Sequence, residues 1–411
     1  MTHRVVVTGV GAVTPLGIGR KAFWERLRSR CVAVRELTRF DAAEYPSRVA
    51  AQIDDFDPAD YLARRRVQWT DRFSQFACAA AHLAVEDANF PFDLARDEIG
   101  VFTGSALGGV ALAEEQMRVF AQRGLRAVRP LLTISVFGGA AASNIAIEFG
   151  LTGPATANAN SCAAGAMAIG DAFHAVRGGA VRAAIAGGVE APLAPLTFGA
   201  FTVARAMSVA NDTPQQASRP FDARRDGFVM AEGAGMLLLE RYDDAVSRSA
   251  PIYGEITGYG VSNDAFHMSA PREGGEQTAL AMQRALEDAR VQAQEIEAIN
   301  AHGSSTRIGD AAEVRAYERV FGEGLARVPV SATKGQHGHA LGATGAWEVA
   351  IALLAMQDGV VPGAVNLDSP DDACRLNCAN AERACTARTV LSNSSGFGGI
   401  NAALVLRRLE S

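Results

Sequence analysis

Lysine is nearly absent from this sequence. Of its 39 basic residues only Lys21 and Lys334 are lysines, so arginine carries almost all the positive charge. The 45 acidic residues leave a net charge of −6, which does not favour binding to nucleic acid or to an anionic membrane. Because the sequence uses arginine at nearly every other basic position, a lysine in the interior of the chain is unusual, and Lys334 is therefore a candidate functional residue.

Long apolar segments are absent as well. No stretch approaches the ~18 uninterrupted apolar residues of a transmembrane helix. The apolar run at the start is too short for a signal peptide and is broken by Gly and Pro. Six cysteines are few for 411 residues, and Cys374, Cys378 and Cys385 lack the CxxC spacing of a structural zinc site. We therefore expect a cytoplasmic protein with reduced thiols and no metal.

Nucleotide-binding motifs are incomplete. Gly9 and Gly11 follow a predicted strand, but the third glycine of a dinucleotide fingerprint would fall at Thr14, and Pro15 follows. The pattern GxxxxGKS/T does not occur, which excludes a P-loop. A nucleotide cofactor is therefore not expected.

Segments typical of strands and helices alternate along the chain, which predicts an α/β protein. Residues 71–88 have the helical period, and 181–191 read as a buried strand. After about residue 250 the same plan begins again, with no Pro/Ser-rich linker between. The sequence therefore predicts two halves of similar plan, 1–250 and 251–411, packed as one body.

Cys162 lies in the segment NANSCAAGAM (158–167), where its neighbours are small and good helix formers follow. A helix N-terminus supplies partial positive charge and free N–H groups, which favour a thiolate and can bind an oxyanion. The alternative is a buried, inert cysteine. This segment alone does not separate the two.

Histidines in two glycine-rich loops favour the reactive alternative. His302 follows one predicted strand, and His337 and His339 follow another, close to Lys334. Loops after strands of an α/β sheet are where sites are built. A third loop, SNSSGFGGIN (392–401), lets the backbone approach a ligand closely and carries Phe397 as its one bulky side chain.

These residues lie in motifs that resemble the elongating β-ketoacyl-acyl carrier protein synthases of the thiolase-like superfamily. The motifs are VVVTGVGAVTPLG (5–17), the Cys162 segment, ARAMSVANDTPQQASRPFDARRDGFVMAEGAG (204–235), NAHGSSTRIGD (300–310), TKGQHGHALGATG (333–345) and NSSGFGGINA (393–402). The resemblance runs over essentially the whole chain. It implies a five-layered αβαβα fold made of two pseudo-duplicated halves, and a dimer.

The resemblance also implies roles for particular residues. Cys162 would be the nucleophile, and His302 and His339 would hydrogen-bond the thioester carbonyl of a malonyl unit, supported by Lys334 and Glu348. The amides of Cys162 and Phe397 would form an oxyanion hole, with Phe397 as a gate in the turn that holds Gly398 and Ser395. Asp310 and Glu313 would be structural. Arg65, Arg126 and Arg205 lie where the family has basic residues that dock an acidic acyl carrier protein. Substrates would arrive on the phosphopantetheine of that carrier, and no free cofactor is implied.

Departures from the commonest fatty-acid form leave the pathway open. Ser395 replaces a second gating Phe, as in ketosynthase subunits of type II polyketide assembly, and His337 stands where a small hydroxyl residue is usual. We therefore expect a condensing enzyme of type II polyketide or polyene biosynthesis, either a homodimer or a heterodimer with a chain-length-factor-like subunit. Housekeeping fatty-acid elongation is the alternative. A non-catalytic chain-length-factor role is disfavoured because Cys162, His302 and His339 are all present.

Overall fold

Two sets of five strands with mirrored order form the centre of the computed structural model, which describes residues 2–409. Along the sheet the order is β11-β10-β14-β15-β9-β1-β8-β7-β5-β6, with β2 paired to β1. The first set is β1, β5, β6, β7 and β8, and the second is β9, β10, β11, β14 and β15. When the strands of each set are numbered 1 to 5 in chain order, both sets have the spatial order 3-2-4-5-1 from the edge of the sheet to its centre, where β1 pairs with β9. The strands are β1 (Val5–Thr14), β2 (Gly17–Ile18), β3 (Arg35–Glu36), β4 (Val49–Ala50), β5 (Ile99–Gly104), β6 (Ala155–Asn158), β7 (Ala183–Glu190), β8 (Gly233–Arg241), β9 (Gly254–Asn263), β10 (Ala298–Asn300), β11 (Val330–Ser331), β12 (Val360–Val361), β13 (Arg383–Ala384), β14 (Thr389–Gly396) and β15 (Ile400–Arg407).

Helices form three layers around these strands. α3 and α6 cover the outer face of the first set, α10 and α11 cover the second, and α7 and α13 pack against each other between the two. The layers alternate αβαβα, as the resemblance implied. The helices are α1 (Arg20–Arg28), α2 (Arg64–Gln68), α3 (Arg72–Asp87), α4 (Val110–Arg123), α5 (Leu132–Ser135), α6 (Ala140–Phe149), α7 (Ala164–Arg177), α8 (Pro195–Val203), α9 (Tyr242–Ser247), α10 (Glu276–Ala289), α11 (Arg307–Phe321), α12 (Lys334–His337) and α13 (Thr344–Asp358).

The central helices α7 and α13 approach closely because glycine lies at their contact. A Cβ on Gly165 would lie 2.6 Å from the carbonyl oxygen of Gly342, and one on Gly345 would lie 2.9 Å from the amide of Ala166. No real side chain tolerates these distances, so both positions need glycine. This contact brings together the turns that precede the two helices, and the candidate site lies there.

Hydrophobic periodicity located these elements correctly. Residues 71–88 form α3, which begins at Arg72 after an Asp71 cap, and the strand expected in 181–191 is β7, buried along its whole length. Helix α6 ends just before Gly150, which is left-handed, at φ 64°, a common way for a helix to end. Within residues 2–409, no helix is both long and apolar enough to cross a membrane.

Candidate active site

A cavity of about 570 Å³ opens beside the central helices, and the sequence-predicted residues meet on its walls. Cys162 comes from the turn before α7, His302 from the loop after β10 and His339 from the loop before α13. Ser395 and Phe397, at the end of β14, complete this part of the wall. The cavity therefore joins residues that are more than 230 positions apart in the chain.

Cys162 is held in a strained turn. It lies in a single 3-10 turn, Ser161–Ala163, immediately before α7. Ser161 has a left-handed backbone, φ 52°, which is costly for a residue with a side chain. Gly396 lies against this turn, and a Cβ there would come within 2.8 Å of the Cys162 amide. Both the sulfur and the amide of Cys162 are thus placed by close backbone packing.

The resting state of Cys162 differs from the expectation based on helix polarity. Burial raises the pKa of the Cys162 thiol to about 11. A hydrogen bond from the Ser161 hydroxyl, 3.9 Å from the sulfur, the charge of Lys334 and the backbone amide of Phe397 oppose this rise without cancelling it. Before substrate enters, the group is therefore a thiol at neutral pH, because desolvation outweighs the helix N-terminus.

Lys334 is fully buried and fixes the orientation of His302. Its ammonium donates to the backbone carbonyl of His302 and to the carboxylate of Glu348. It also lies 3.4 Å from Nδ1 of His302. An ammonium can only donate, so Nδ1 is an acceptor and the proton of His302 is on Nε2. Burial and the charge of Lys334 hold the pKa of His302 well below 6.5, which keeps the ring neutral.

His339 forms the second half of an imidazole pair. The two ring centroids are 5.3 Å apart, and the Thr344 hydroxyl lies 3.1 Å from Nδ1 of His339. When that hydroxyl donates, the proton of His339 is on Nε2, as in His302. Burial and Lys334 again lower the pKa of His339 well below 6.5. Two neutral rings can therefore each offer one N–H to a ligand oxygen.

Buried carboxylates hold backbone segments close to this pair. Glu313 accepts from the amides of His302 and Gly303, at 2.7 and 2.8 Å, and so anchors the loop that carries His302. Asp310 accepts from the amide of Phe221 at 2.8 Å. Burial raises the pKa values of Asp310 and of Glu348 to about 7.

The turn after β14 borders the mouth of the cavity. Phe397 is 37% exposed and stacks on Phe201, with ring centroids 6.1 Å apart. Gly398 has φ 83° and donates its amide to the carbonyl of Met268 at 2.7 Å. The Ser395 hydroxyl donates to Oδ1 of Asn401 at 2.9 Å. The aromatic ring therefore rests on a neighbouring ring, while the glycine ties the turn to an adjacent loop.

The three candidate docking arginines are exposed but lie apart from the catalytic cluster. Arg205 lines the cavity mouth, Arg65 lies on α2, and Arg126 lies in a 3-10 turn after α4. Within residues 2–409 none of them forms an ion pair with an acidic side chain. Their guanidinium groups are available to an acidic partner, and their docking role stays a prediction.

Two residues of the site were missed from the sequence. Thr344, the partner of His339, had no signal beyond its place at the start of a helix. Glu190 ends the fully buried strand β7, and its carboxylate accepts from the amides of Ala106 and Gly342 at 2.7 and 3.0 Å. An acidic residue at the end of the apolar run AAIAGGVE was the signal for it. In the part of the chain that the structure describes, no cluster of three His, Cys, Asp or Glu residues could hold a metal ion.

Two family models match most of the chain: the N-terminal domain of β-ketoacyl synthase over residues 2–245, and its C-terminal domain over residues 253–368. The chain belongs to the β-ketoacyl synthase family. Members of this family are acyltransferases, and their substrates are carried by acyl carrier proteins rather than by a free cofactor.

Similar sequences and similar structures carry different names. The chain is 39% identical to 3-oxoacyl-[acyl-carrier-protein] synthase 2 of Synechocystis sp., over 99% of this chain and 98% of the relative. It is 38% identical to the enzyme of that name from Staphylococcus aureus strain N315, over 99% of both. Among solved structures, the ishigamide ketosynthase/chain length factor matches with a TM-score of 0.94 and 32% identity, over the full length of both chains. A complex of a type II polyketide synthase acyl carrier protein with its hexaketide-bound ketosynthase matches with a TM-score of 0.92 and 32% identity, also over both full lengths.

Proposed function

We propose that this enzyme condenses a Cys162-bound acyl chain with malonyl-acyl carrier protein, releasing CO2 and 3-ketoacyl-acyl carrier protein. The observation that carries the proposal is the meeting of one thiol and two neutral imidazoles on a single cavity. Each group matches one need of the reaction: a nucleophile for the acyl chain, and two donors for the enolate oxygen.

In the first half-reaction the Cys162 sulfur attacks the thioester carbonyl of an acyl carrier protein. A carbon–sulfur bond forms to Cys162, and the bond to phosphopantetheine breaks. The thiol proton leaves with the departing phosphopantetheine sulfur, so the exchange is balanced. The amides of Cys162 and Phe397 stabilise the oxyanion, and the Phe397 amide lies close enough to the Cys162 sulfur to affect its pKa.

In the second half-reaction malonyl-acyl carrier protein binds beside the imidazole pair. The bond to the carboxylate breaks, CO2 leaves, and the electron pair forms an enolate. The N–H groups of His302 and His339 stabilise its oxygen, and Lys334 keeps Nδ1 of His302 free of a proton. The enolate carbon then attacks the acyl-Cys162 carbonyl, and Cys162 is regenerated after taking up one proton.

For the pathway we propose type II polyketide or polyene biosynthesis. Ser395 supports this choice, because it lines the cavity with a small side chain where the fatty-acid form has a second Phe. The likeness to a polyketide ketosynthase and to the ishigamide enzyme points the same way. Housekeeping elongation is the second candidate, supported by the names of the similar sequences from Synechocystis sp. and Staphylococcus aureus.

For partners we propose an acyl carrier protein at the cavity mouth and a second subunit at the edge of the sheet. Arg205 at the mouth, with Arg65 and Arg126, supplies positive charge that forms no ion pair within residues 2–409 and can meet an acidic carrier. Strand β6 ends the sheet and is largely exposed. Ile147, an exposed apolar residue, lies on α6, which packs against β6. An exposed edge strand beside apolar surface favours pairing with another chain, either identical or chain-length-factor-like.

Two further expectations from the sequence remain proposals. We place the boundary between the two halves at residues 250/251, in the segment between α9 and β9. The cytoplasmic location stays a prediction from cysteine usage. The non-catalytic partner role is disfavoured by the presence of Cys162 on the cavity wall.

The test is acylation by a panel of acyl carrier proteins that bear saturated, conjugated and keto-bearing chains of several lengths, followed by intact-protein and peptide mass spectrometry. Label on the Cys162 peptide, and ketoacyl product after malonyl-acyl carrier protein is added, is the expected result. Preference for conjugated or keto-bearing chains supports the polyketide assignment, whereas preference for long saturated chains supports housekeeping elongation. No label from any donor, alone or with a partner subunit, would overturn the proposed reaction.

A further inference from the structure

A third buried imidazole, that of His337, takes no part in the reaction described above. It is fully buried, between Lys334 and His339 in the chain. Its Nδ1 lies 2.7 Å from the carbonyl oxygen of Gly338, and its Nε2 lies 3.0 Å from the hydroxyl of Thr333. Its ring contacts Trp347 edge-on, with centroids 5.5 Å apart. Both ring nitrogens are therefore occupied.

The two partners fix the tautomer of His337. A carbonyl oxygen only accepts, so Nδ1 carries the proton and donates it to Gly338. In a neutral ring Nε2 then accepts, and the Thr333 hydroxyl is its donor. Burial and the charge of Lys334 lower the pKa of His337 to about 3. The ring is therefore neutral throughout the physiological range and acts only through these two hydrogen bonds.

The Thr333 hydroxyl and the Gly338 carbonyl, which His337 contacts, belong to the short segment that carries both Lys334 and His339. Thr333 immediately precedes Lys334, at the start of α12. The Gly338 carbonyl is part of the peptide that leads into His339. The same short segment is closed by a hydrogen bond from the Gly338 amide to the Lys334 carbonyl at 3.0 Å, and Gly338 has φ 70°. The imidazole thus spans the turn from one end to the other.

We propose that His337 is a positioning residue that fixes the Lys334 ammonium and the His339 ring relative to each other. The inference rests on the proposed condensation. Lys334 orients His302, so a shift of the turn moves both N–H donors relative to the enolate oxygen. Cys162 comes from a different turn, before α7. Loss of His337 therefore slows the malonyl half-reaction and spares acylation.

Three substitutions separate the two hydrogen bonds. His337→Asn keeps a donor near Nδ1 for the Gly338 carbonyl and removes the contact to Thr333. Thr333→Val removes the same contact from the other side with little change of shape. His337→Leu removes both bonds while keeping an apolar group against Trp347. His174→Leu is the control, because His174 lies half-exposed on α7, outside the cavity lining.

The experiment measures two rates in each full-length protein: decarboxylation of malonyl-acyl carrier protein and acylation of Cys162. We expect His337→Leu to lower decarboxylation about tenfold to a hundredfold, the range for a group that orients a reacting residue. The acylation rate should stay within about twofold of that of the unmodified enzyme. The decarboxylation rate of His337→Asn should lie between those of His337→Leu and the unmodified enzyme. The effects of His337→Asn and Thr333→Val on the decarboxylation rate should be non-additive, because both substitutions remove the same hydrogen bond.

Outcomes that contradict the inference are distinct from those that contradict the proposed function. Equal loss of both rates in His337→Asn, or no loss of decarboxylation in any His337 variant, would overturn the positioning role. If His337→Leu does not fold, the Asn and Val variants still decide the question. Absence of both activities in the unmodified enzyme would instead overturn the condensation itself.

Discussion

The turns before α7 and α13 have nearly the same backbone but opposite surroundings. Asn160 and Ala340 each have φ −85°, with ψ 43° and 39°. The residue that follows each of them is left-handed, Ser161 at φ 52° and Leu341 at φ 42°. A single 3-10 turn and then a central helix follow in both regions. The residue after the left-handed one is Cys162 in the first turn and Gly342 in the second.

The difference lies in what occupies the anion site that each turn forms. At Cys162 the turn borders the cavity, so its amide is available for a substrate oxyanion. At Gly342 the equivalent amide donates to the carboxylate of Glu190, which also accepts from Ala106 and Leu107. The same backbone geometry can therefore bind a substrate oxyanion where the site is open, and it holds two segments of the protein together where a side chain fills the site.

Removing the nucleophile is the strongest way to test the first turn. Cys162→Ala keeps the small side chain that the turn tolerates and deletes the sulfur. We expect no acyl-enzyme and no condensation, because no other cysteine within residues 2–409 lines the cavity. The measurement is intact mass after incubation with acyl carrier protein. Cys385→Ala, at a half-buried cysteine outside the cavity lining, should behave as the unmodified enzyme; condensation by Cys162→Ala would contradict the role of this turn.

Removing one imidazole donor should separate the half-reactions. His302→Ala or His339→Ala should lower malonyl decarboxylation by about 10²–10³, the usual effect of deleting one preorganised oxyanion donor. Acylation of Cys162 should persist, because its oxyanion donors are backbone amides. The two rates are measured separately by mass spectrometry and CO2 release. A loss of acylation as large as the loss of decarboxylation would show that the two turns do not divide the work in this way.

Much of this comparison was accessible from the sequence, because hydrophobic periodicity and glycine-rich turns are local signals. They located α3 and β7, and the position of Cys162 at the start of α7. The raised pKa of Cys162 was not accessible, because desolvation depends on every element packed around the sulfur. Nor was the pairing of Glu190 with Gly342, which joins residues 152 positions apart.

Filling the second turn should reduce stability. A Cβ on Gly342 would lie 2.7 Å from the amide of Ala106 and 2.8 Å from the carboxylate of Glu190. Displacing the backbone of Ala106 would cost free energy. Gly342→Ala should therefore lower the free energy of unfolding by about 1–3 kcal/mol, the range for overpacking. Chemical denaturation measures this. Gly138→Ala is the matched control, because no atom of residues 2–409 lies within 4 Å of its Cβ position. Equal stability of the two variants would mean that the second turn is not tightly filled.

Neutralising Glu190 should change how stability depends on pH. Burial raises the pKa of Glu190 from 4.5 to about 7, although its hydrogen bonds favour the charged form. The unfolded chain therefore loses this proton at a lower pH than the folded chain does. The contribution of Glu190 to the free energy of unfolding is greatest below pH 4.5 and falls as the pH rises to about 7, by at most about 1.4 kcal/mol per pH unit.

Glu190→Gln cannot titrate, so the free energy of unfolding of the unmodified protein minus that of the variant should decrease from pH 5 to pH 7.5. The raised pKa values of Asp310 and Glu348 affect both proteins and cancel in this difference. Denaturant titrations at several pH values measure it. A difference that stays constant with pH would mean that Glu190 is already ionised in the folded protein at pH 5. The filled anion site would then hold a carboxylate, stabilised as an oxyanion would be at Cys162, and the two turns would be closer electrostatic equivalents than the raised pKa implies.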